Sequence, residues 1–183
     1  MGLVELLIAL SITASLLTAT AFAVDAAFRA YAVNQEQAVL LSKARVALAL
    51  MTTHVRTTKL HAPDDATLRA QFASGQTVTD TGLAMYDADD NLLRFRYDAA
   101  AKRLLVVTPT GTHTLARGVE SFSVTMEPMR SAASVRTGGG WDLLKRATIQ
   151  LTVRTTGSTA PGESTGNQTL TLSGSVMPRR NAW

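Results

Sequence analysis

The first 24 residues, MGLVELLIALSITASLLTATAFAV, form an apolar run that carries a single charge, Glu5. A helix of roughly 20 apolar residues matches the thickness of a bilayer core, so the run predicts a membrane-spanning helix over residues 1–24. A carboxylate inside such a run is costly in hydrocarbon, and it therefore indicates a specific partner and a function. The apolar residues of this membrane helix closest to Glu5 are Leu3, Val4, Leu6, Leu7, Ile8 and Leu10.

Two simpler interpretations of the run are a cleaved signal peptide and a plain membrane anchor. A signal peptide has a basic segment before a short apolar core and a small-residue cleavage site after it. Here no Lys or Arg precedes the run, and the run continues without a break into helix-compatible sequence. A plain anchor leaves Glu5 unexplained, because ordinary anchors rarely place a carboxylate inside the apolar run.

The helical pattern extends through residues 25–56, which contain neither Pro nor Gly. Apolar residues recur there at helical spacing and form an amphipathic stripe. The stripe comprises Val33, Leu40, Ala44, Ala47, Met51 and Val55, with Leu41 and Leu48 beside them. We therefore predict one helix of about 55 residues and roughly 80 Å, whose second half packs on a globular domain. A free coiled-coil stalk is the alternative, but the stripe supplies few heptads for one.

Residues 57–183 are predicted to form a β-rich globular domain, because most of this stretch shows the two-residue alternation of half-buried strands. Residues 57–80 are expected to be a linker with one short helix, which starts at Pro63-Asp64-Asp65 and ends near Phe72. Six or seven strands should follow, at residues 83–86, 93–97, 104–108, 112–116, 122–126, 147–153 and 170–176. Residues 128–140 and 157–167 are predicted to be loops. This order predicts an α+β fold in which an antiparallel sheet packs on the long helix.

The segment Leu3-Val4-Glu5-Leu6-Leu7-Ile8-Ala9-Leu10 resembles the N-terminal methylation motif of type IV pilins and type II secretion pseudopilins. In that family a prepilin peptidase removes a basic leader that ends in Gly, and the new first residue is N-methylated. The resemblance implies that Met1 is the processed and N-methylated residue. It also implies that Glu5 serves subunit assembly by pairing its carboxylate with the N-terminal amine of a neighbouring subunit. The chain departs from the family where Met1-Gly2 replace the usual Phe-Thr.

A second segment, Leu115-Ala116-Arg117-Gly118-Val119-Glu120-Ser121-Phe122, is similar to a segment that leads into a strand in minor subunits of the family. These are the J-type pseudopilin of type II secretion and the W-type minor pilin of type IV pili. Many major pilins carry a Pro late in the apolar run, whereas this chain has Phe22 there and its first Pro is Pro63. A continuous helix is therefore expected. Phe28 and Tyr31 follow the apolar run, and they either mark the membrane interface or take part in helix packing.

The resemblance implies a structural minor pilin or pseudopilin that helps to initiate or cap a periplasmic filament in a type II secretion or type IV pilus system. The implied partners are other pilin or pseudopilin subunits, the prepilin peptidase, the inner-membrane assembly platform and the lipid bilayer. The implied location is a single pass through the inner membrane, with the C-terminal domain in the periplasm and at the filament tip after assembly. The alternative is a membrane-anchored periplasmic binding or adhesion domain.

The orientation of the membrane helix depends on what precedes it. The basic residues that follow the apolar run would by themselves place the domain in the cytoplasm, according to the positive-inside rule. A basic leader before the run reverses that assignment and places the domain in the periplasm. The match of Glu5 to the family's processing motif favours the second orientation.

Composition argues against several other functions. The net charge is +4, but acidic and basic residues alternate without a basic block, so no bound nucleic acid is predicted. The chain has no Cys, and His54, His61 and His113 lack metal-ligand spacing. The acidic turn at residues 87–91 lacks the Gly and closing Glu of a calcium loop, so a hairpin turn is predicted. Without a nucleophile elbow or a phosphate loop, we predict no enzyme, no catalytic residue, no cofactor and no metal.

Overall fold

The fold comes from a computed structural model that describes residues 2–154 and 169–179. One long helix, α1 (Leu3–Thr57), precedes a β-rich body. The described elements of the body are, in chain order, β1 (Leu60–Pro63), α2 (Ala66–Ala73), β2 (Val78–Asp80), β3 (Gly82–Tyr86), β4 (Leu92–Asp98), β5 (Arg103–Thr108), β6 (Gly111–Arg117), β7 (Val119–Met129), α3 (Ala132–Thr137), β8 (Leu143–Arg154) and β9 (Thr169–Val176). The predicted α+β class, a long helix packed on antiparallel strands, is confirmed.

Helix α1 is a single unbroken helix of 55 residues, and it ends one residue beyond the predicted limit. Its first half is exposed on all sides, whereas one face of its second half packs on the body. The residues of that face that are buried almost completely are Ala44, Ala47, Met51 and Val55, and Leu48 packs beside them. The predicted amphipathic stripe is therefore the face that meets the body, and this prediction is confirmed.

The strands form two antiparallel sheets. One sheet has the order β1-β3-β4-β5-β6 and the other has the order β2-β7-β8-β9. Helix α1 lies against β6, β8 and β9, so it touches both sheets. The Tyr97 hydroxyl on β4 joins the sheets, because it donates to the carbonyls of Val119 and Glu120 at the start of β7, at 3.2 Å and 2.7 Å.

Side chains from α1 and from both sheets make one core. The largest fully buried members are Phe95, Met51, Leu83, Met85, Leu104, Met126, Leu144, Ile149, Leu151, Val55, Val119 and Val124. Strand β9 approaches the helix closely at Gly174, where an added Cβ would lie 3.4 Å from both methyl carbons of Leu48. A Cβ at this distance would be in ordinary van der Waals contact with Leu48, so little space remains there for a larger side chain.

The prediction of one sheet with six or seven strands was incomplete, because nine strands in two sheets occupy the described residues. After β6 the chain passes from the first sheet to the second at Gly118, whose φ of +70° lies in the left-handed region that Gly adopts without strain. The alternation of apolar and polar residues shows that a strand exists, but the strand with which it pairs depends on residues far away in the sequence. The segment that resembles minor subunits, residues 115–122, contains this turn and does lead into a strand.

Residues 57–80 are not a linker, because they contribute β1 and β2 as edge strands of the two sheets. These strands have four and three residues, which is too short for alternation to be visible in the sequence. The predicted short helix is confirmed as α2. The Asp65 carboxylate accepts from the amides of Thr67 and Leu68 at 2.6 Å and 3.3 Å, and these bonds satisfy the first turn of α2.

The predicted loop at residues 128–140 is also corrected, since β7 extends to Met129 and α3 follows it. The Ser131 hydroxyl accepts from the amide of Ser134 at 3.0 Å at the start of α3, and Gly138 ends the helix with a φ of +70°. Three consecutive glycines and a helix of six residues obscure this element in the sequence. The predicted loop at residues 157–167 lies outside the described residues.

The hairpin turn predicted at residues 87–91 is confirmed between β3 and β4. One carboxylate oxygen of Asp87 accepts from the amides of Asp89 and Asn91, both at 2.9 Å, and the other accepts from the Asn91 side chain at 3.1 Å. These bonds lower the pKa of the Asp87 carboxyl below its usual range. The carboxylate of Asp87 is therefore used to close the turn.

The junction between α1 and β1 is closed by a buried histidine, His61, which is 4% exposed. Its Nε2 lies 3.0 Å from the carbonyl oxygen of Val55 and 2.8 Å from the hydroxyl of Thr58. A carbonyl can only accept, so the ring carries its proton on Nε2 and leaves Nδ1 buried without a partner. Burial lowers the pKa of His61 to about 4, although the bond to Val55 raises it partially.

Replacing Met51 with alanine should lower the free energy of unfolding by about 2–5 kcal/mol, because it leaves a cavity between the helix and the body. The matched control is Val46→Ala on the same helix, where the native side chain is 64% exposed. That change should stay within about 0.5 kcal/mol of the parent. Urea unfolding of the detergent-solubilised protein, followed by circular dichroism, measures both values. Equal effects would contradict the docking of the stripe on the body.

Acid should destabilise the fold through His61. Above pH 6.5 the imidazole is neutral in both the folded and the unfolded protein. Between pH 6.5 and about 4, only the unfolded protein takes up the proton. Stability is thus lost as the pH falls through this window, at up to about 1.4 kcal/mol per unit, or on the order of 3 kcal/mol in all. The comparison of urea unfolding at pH 7.5 and pH 4.5 in the parent and in His61→Gln isolates this contribution. An identical loss of stability in both proteins would refute it.

Candidate functional site

The candidate site is the apolar half of α1, residues 2–24, and its one charged side chain is Glu5. Glu5 lies in the first turn of the helix, where its Oε2 accepts from the backbone amide of Gly2 at 3.0 Å. Gly2 is the N-cap residue and has no side chain to cap the helix. Glu5 therefore reaches back to the N-cap amide as the acidic member of a capping box does.

No basic side chain is present in residues 2–24 to neutralise the Glu5 carboxylate. The first cation further along the helix, Arg29, is already paired with Asp25 at 2.7 Å. The bond from the Gly2 amide supplies a hydrogen but no positive charge. Glu5 therefore presents a negative charge that a cation from outside this segment can pair with. Met1, the predicted processed and methylated residue, lies outside the described residues.

The Ser and Thr side chains of the apolar half satisfy their hydroxyl groups within the helix. Each donates to a carbonyl three or four residues earlier, at distances between 2.8 Å and 3.0 Å, and the donors are Ser11, Thr13, Ser15, Thr18 and Thr20. Hydroxyl groups bonded in this way need no water or partner. The apolar half is therefore compatible with hydrocarbon at every one of these positions.

The apolar side chains near Glu5 are uncovered. The six predicted membrane residues Leu3, Val4, Leu6, Leu7, Ile8 and Leu10 are between 54% and 79% exposed. The most apolar 18-residue window of α1 has a mean hydropathy of 2.0 and buries none of its residues against the body. Helix α1 is thus long and apolar enough to span a membrane. Phe28 and Tyr31 are also exposed and do not pack on the body, so their predicted role at an interface stays a prediction.

The second half of α1 carries an exposed apolar stripe that sequence analysis missed. It comprises Val39, Val46 and Leu50, which are 46%, 64% and 38% exposed. Their spacings of seven and four residues place them on one helix face, away from the buried stripe. The spacing of these residues was visible in the sequence, but the sequence analysis predicted only one apolar stripe on this half of the helix. We call these three residues the outer stripe.

A groove of about 560 Å³ lies at the far end of α1, where the helix meets the β3–β4 and β5–β6 turns. Its lining combines hydroxyl, carboxylate and apolar side chains, which include His54, Thr57, Asp89, Leu92 and Pro109. The His54 ring lies tilted 5.9 Å from the Phe95 ring, and burial lowers the pKa of His54. The predicted loop at residues 128–140 contributes none of the side chains that line this groove.

The chain was compared with protein-family models, with curated proteins and with solved structures, and nothing matches.

Proposed function

We propose that the protein is a structural minor pilin or pseudopilin, which helps to initiate or cap a periplasmic filament. The observation that supports this most is the form of α1: an exposed apolar half with one carboxylate in its first turn continues without a break into a half that docks on the body. A membrane anchor alone does not need the carboxylate. A soluble core helix does not leave residues 2–24 uncovered.

In this proposal, Glu5 selects the register in which a subunit leaves the membrane. Its carboxylate pairs with the N-terminal amine of a neighbouring subunit when the two helices are correctly offset. In a wrong register both charges stay unpaired in an apolar environment, which is strongly unfavourable. The attraction between opposite charges is large where the dielectric constant is low. The pair therefore provides a driving force and a specificity check at one position.

The outer stripe extends the proposed helix contact beyond the membrane. Val39, Val46 and Leu50 lie on the part of α1 that is joined to the body, yet they face away from it. Neighbouring pilin or pseudopilin helices would cover them in an assembled filament. The lipid bilayer, the prepilin peptidase and the inner-membrane assembly platform complete the proposed set of partners, with the body in the periplasm.

A second candidate function is a membrane-anchored periplasmic binding or adhesion domain. The groove at the far end of α1 favours it, because the groove combines apolar side chains with Thr hydroxyls and the Asp89 carboxylate about as far from the apolar half as the helix reaches. A domain held at the membrane by a plain anchor would present such a groove outward. In that case the charge of Glu5 should be dispensable.

The N-terminus tests the proposed processing. If the proposal holds, the gene encodes a short basic leader that ends in Gly just before Met1, and the mature chain begins with an N-methylated Met1. Mass spectrometry of the membrane-extracted protein should detect that methylated terminus. A mature terminus near Val24 would instead establish a cleaved signal peptide and exclude the proposal.

Substitution of Glu5 tests the proposed assembly step. Glu5→Ala and Glu5→Gln should both insert and accumulate normally, because neither adds a charge to the apolar half. Both should nevertheless reduce filament initiation at least tenfold, since an amide can accept a hydrogen bond but cannot neutralise an amine. Quantitative immunoblotting of membranes and of sheared filaments separates accumulation from assembly.

The matched control is Asp25→Ala, which removes the other carboxylate near this half of the same helix and should leave assembly close to that of the parent. Glu5→Leu distinguishes the two candidate functions, because a plain anchor tolerates it fully. Normal assembly by all the Glu5 variants would overturn the proposed charge pairing.

A further inference from the structure

The outer face of the first sheet carries arginines on three neighbouring strands, β4, β5 and β6. Phe95 on β4 and Leu104 on β5 are fully buried in the core. Successive side chains of a strand point to opposite faces, so the residues next to these two point outward. Arg103 lies directly opposite Arg117 on β6, and both therefore lie on this outer face. We call the four arginines of this surface the arginine face: Arg94, Arg96, Arg103 and Arg117.

The arginine face carries more positive charge than its ion pairs neutralise. The guanidinium groups of Arg94 and Arg103 each have one carboxylate partner, at 3.7 Å and 3.4 Å, and these distances are longer than those of a strong charged hydrogen bond. Arg96 and Arg117 are exposed, and neither forms an ion pair with a described residue. Four guanidinium groups less two carboxylates leave an excess of two positive charges.

The register of β5 and β6 makes part of this charge unfavourable for the sheet. Like charges that lie directly opposite each other on neighbouring strands destabilise the pair of strands, and Arg103 and Arg117 are placed in this way. The next outward pair on the same two strands, Leu105 and Thr114, is uncharged. A negatively charged group bound between the two guanidinium groups would replace their repulsion with attraction. The register therefore indicates an anionic ligand.

Half-buried aliphatic side chains lie beside the arginines and indicate what carries that charge. Leu105 lies opposite Arg96, and Val107 lies opposite Arg94. Arginine is enriched in the contact surfaces of proteins, where its aliphatic stem packs on apolar neighbours. Nonspecific binding of nucleic acid depends on charge and would leave the aliphatic side chains unused. The combination of arginine and aliphatic residues therefore favours a protein that presents carboxylates.

We propose that the arginine face binds a different protein, whose contact surface presents at least two carboxylates. A guanidinium group can hold a carboxylate through two parallel N–H···O bonds, so Arg96 and Arg117 each fix the position of one acidic side chain. The contact neutralises the excess charge and removes the repulsion between Arg103 and Arg117. This site is separate from Glu5 and from the outer stripe, and it does not depend on the proposed function.

The charges of the chain itself make it a poorer occupant of this face. Outside the described residues its sequence contains one acidic residue, Glu163, which cannot neutralise two positive charges. The acidic turn of a second copy also offers one free carboxylate, that of Asp89. In that turn Asp87 accepts the bonds that close the turn, and Asp90 pairs with Lys59 at 2.8 Å. Contact between the arginine faces of two copies would bring like charges together.

Fluorescence anisotropy with a labelled oligoglutamate of about 20 residues tests the proposal. The full-length protein is held in nanodiscs of phosphatidylcholine, at about 50 mM salt, where the attraction between charges is only partly screened. The parent should bind this probe. The double variant Arg96→Gln/Arg117→Gln should bind it at least fivefold more weakly, because it lacks both unpaired guanidinium groups.

The matched control is the double variant Lys43→Gln/Arg45→Gln. It removes two exposed cations from α1 and changes the net charge by the same amount, so its affinity for the probe should stay within twofold of the parent. Urea unfolding checks that both double variants are folded, as expected for substitutions of exposed side chains. Equal weakening by the two variants would show attraction to the net charge alone and would overturn the proposal.

Other occupants of the arginine face give different results, each of which would also overturn the proposal. An oligothymidylate of matched charge, or vesicles containing phosphatidylglycerol, would bind more tightly than oligoglutamate and lose that binding in the arginine variant. Dimers of the parent that disappear in the arginine variant would identify a second copy as the occupant. A fivefold gain in affinity for oligoglutamate in Glu163→Gln would identify the chain's own segment.

Failure of the folded parent to bind oligoglutamate would overturn the proposal as well. The measurement involves no filament, so its outcome is independent of that for Glu5.

Discussion

The structure depends on the contact between the second half of α1 and the body. Ala44 and Ala47 are small, so the helix axis lies close to the strands, and Gly174 permits the same closeness from the side of β9. Met51 and Val55 then fill the space next to both sheets. Close packing of this kind is sensitive to the loss of even one methylene group. Because α1 touches β6, β8 and β9, the two sheets share one core through the helix, and removal of the helix would expose apolar faces of both.

Much of this architecture could be predicted, because long elements leave a periodic signal. The 55-residue helix has no Pro or Gly after Gly2, and its buried stripe repeats at helical spacing. The longer strands alternate clearly between buried and exposed residues, as in β7 and β8. The short elements β1, β2 and α3 were missed because three to six residues contain at most two periods of their pattern. The division into two sheets was missed because strand pairing is a long-range property.

The candidate site shows the same division between local and long-range information. Glu5 was found because a charge inside an apolar run is visible in the sequence itself. The spacing of the outer stripe was visible in the sequence, but its exposure became clear only when the structure showed which face of α1 the body covers. The position of β9 as the last described strand of its sheet could be read only from the strand order, since an uncharged strand is equally suited to the centre of a sheet. Residues whose role depends on the absence of a neighbour are the hardest to recognise from a sequence.

The free energies of helix capping and of membrane insertion show whether capping alone explains the presence of Glu5. A side chain that caps a helix terminus contributes about 0.5–2 kcal/mol, and a favourable interaction with the helix dipole adds roughly 0.3–1 kcal/mol. An acidic side chain at the centre of a membrane helix costs about 2.5–3.5 kcal/mol and less near the interface. In the first turn of α1 these terms roughly offset one another, so Glu5 is tolerated in a single inserted subunit. In the proposed assembly, neighbouring helices would surround that turn and exclude water, so the cost would rise while the capping bond to Gly2 would stay the same. A cation supplied by a neighbouring subunit would then determine whether the buried Glu5 carboxylate is stabilised. The proposed role of Glu5 therefore lies in assembly and not in insertion.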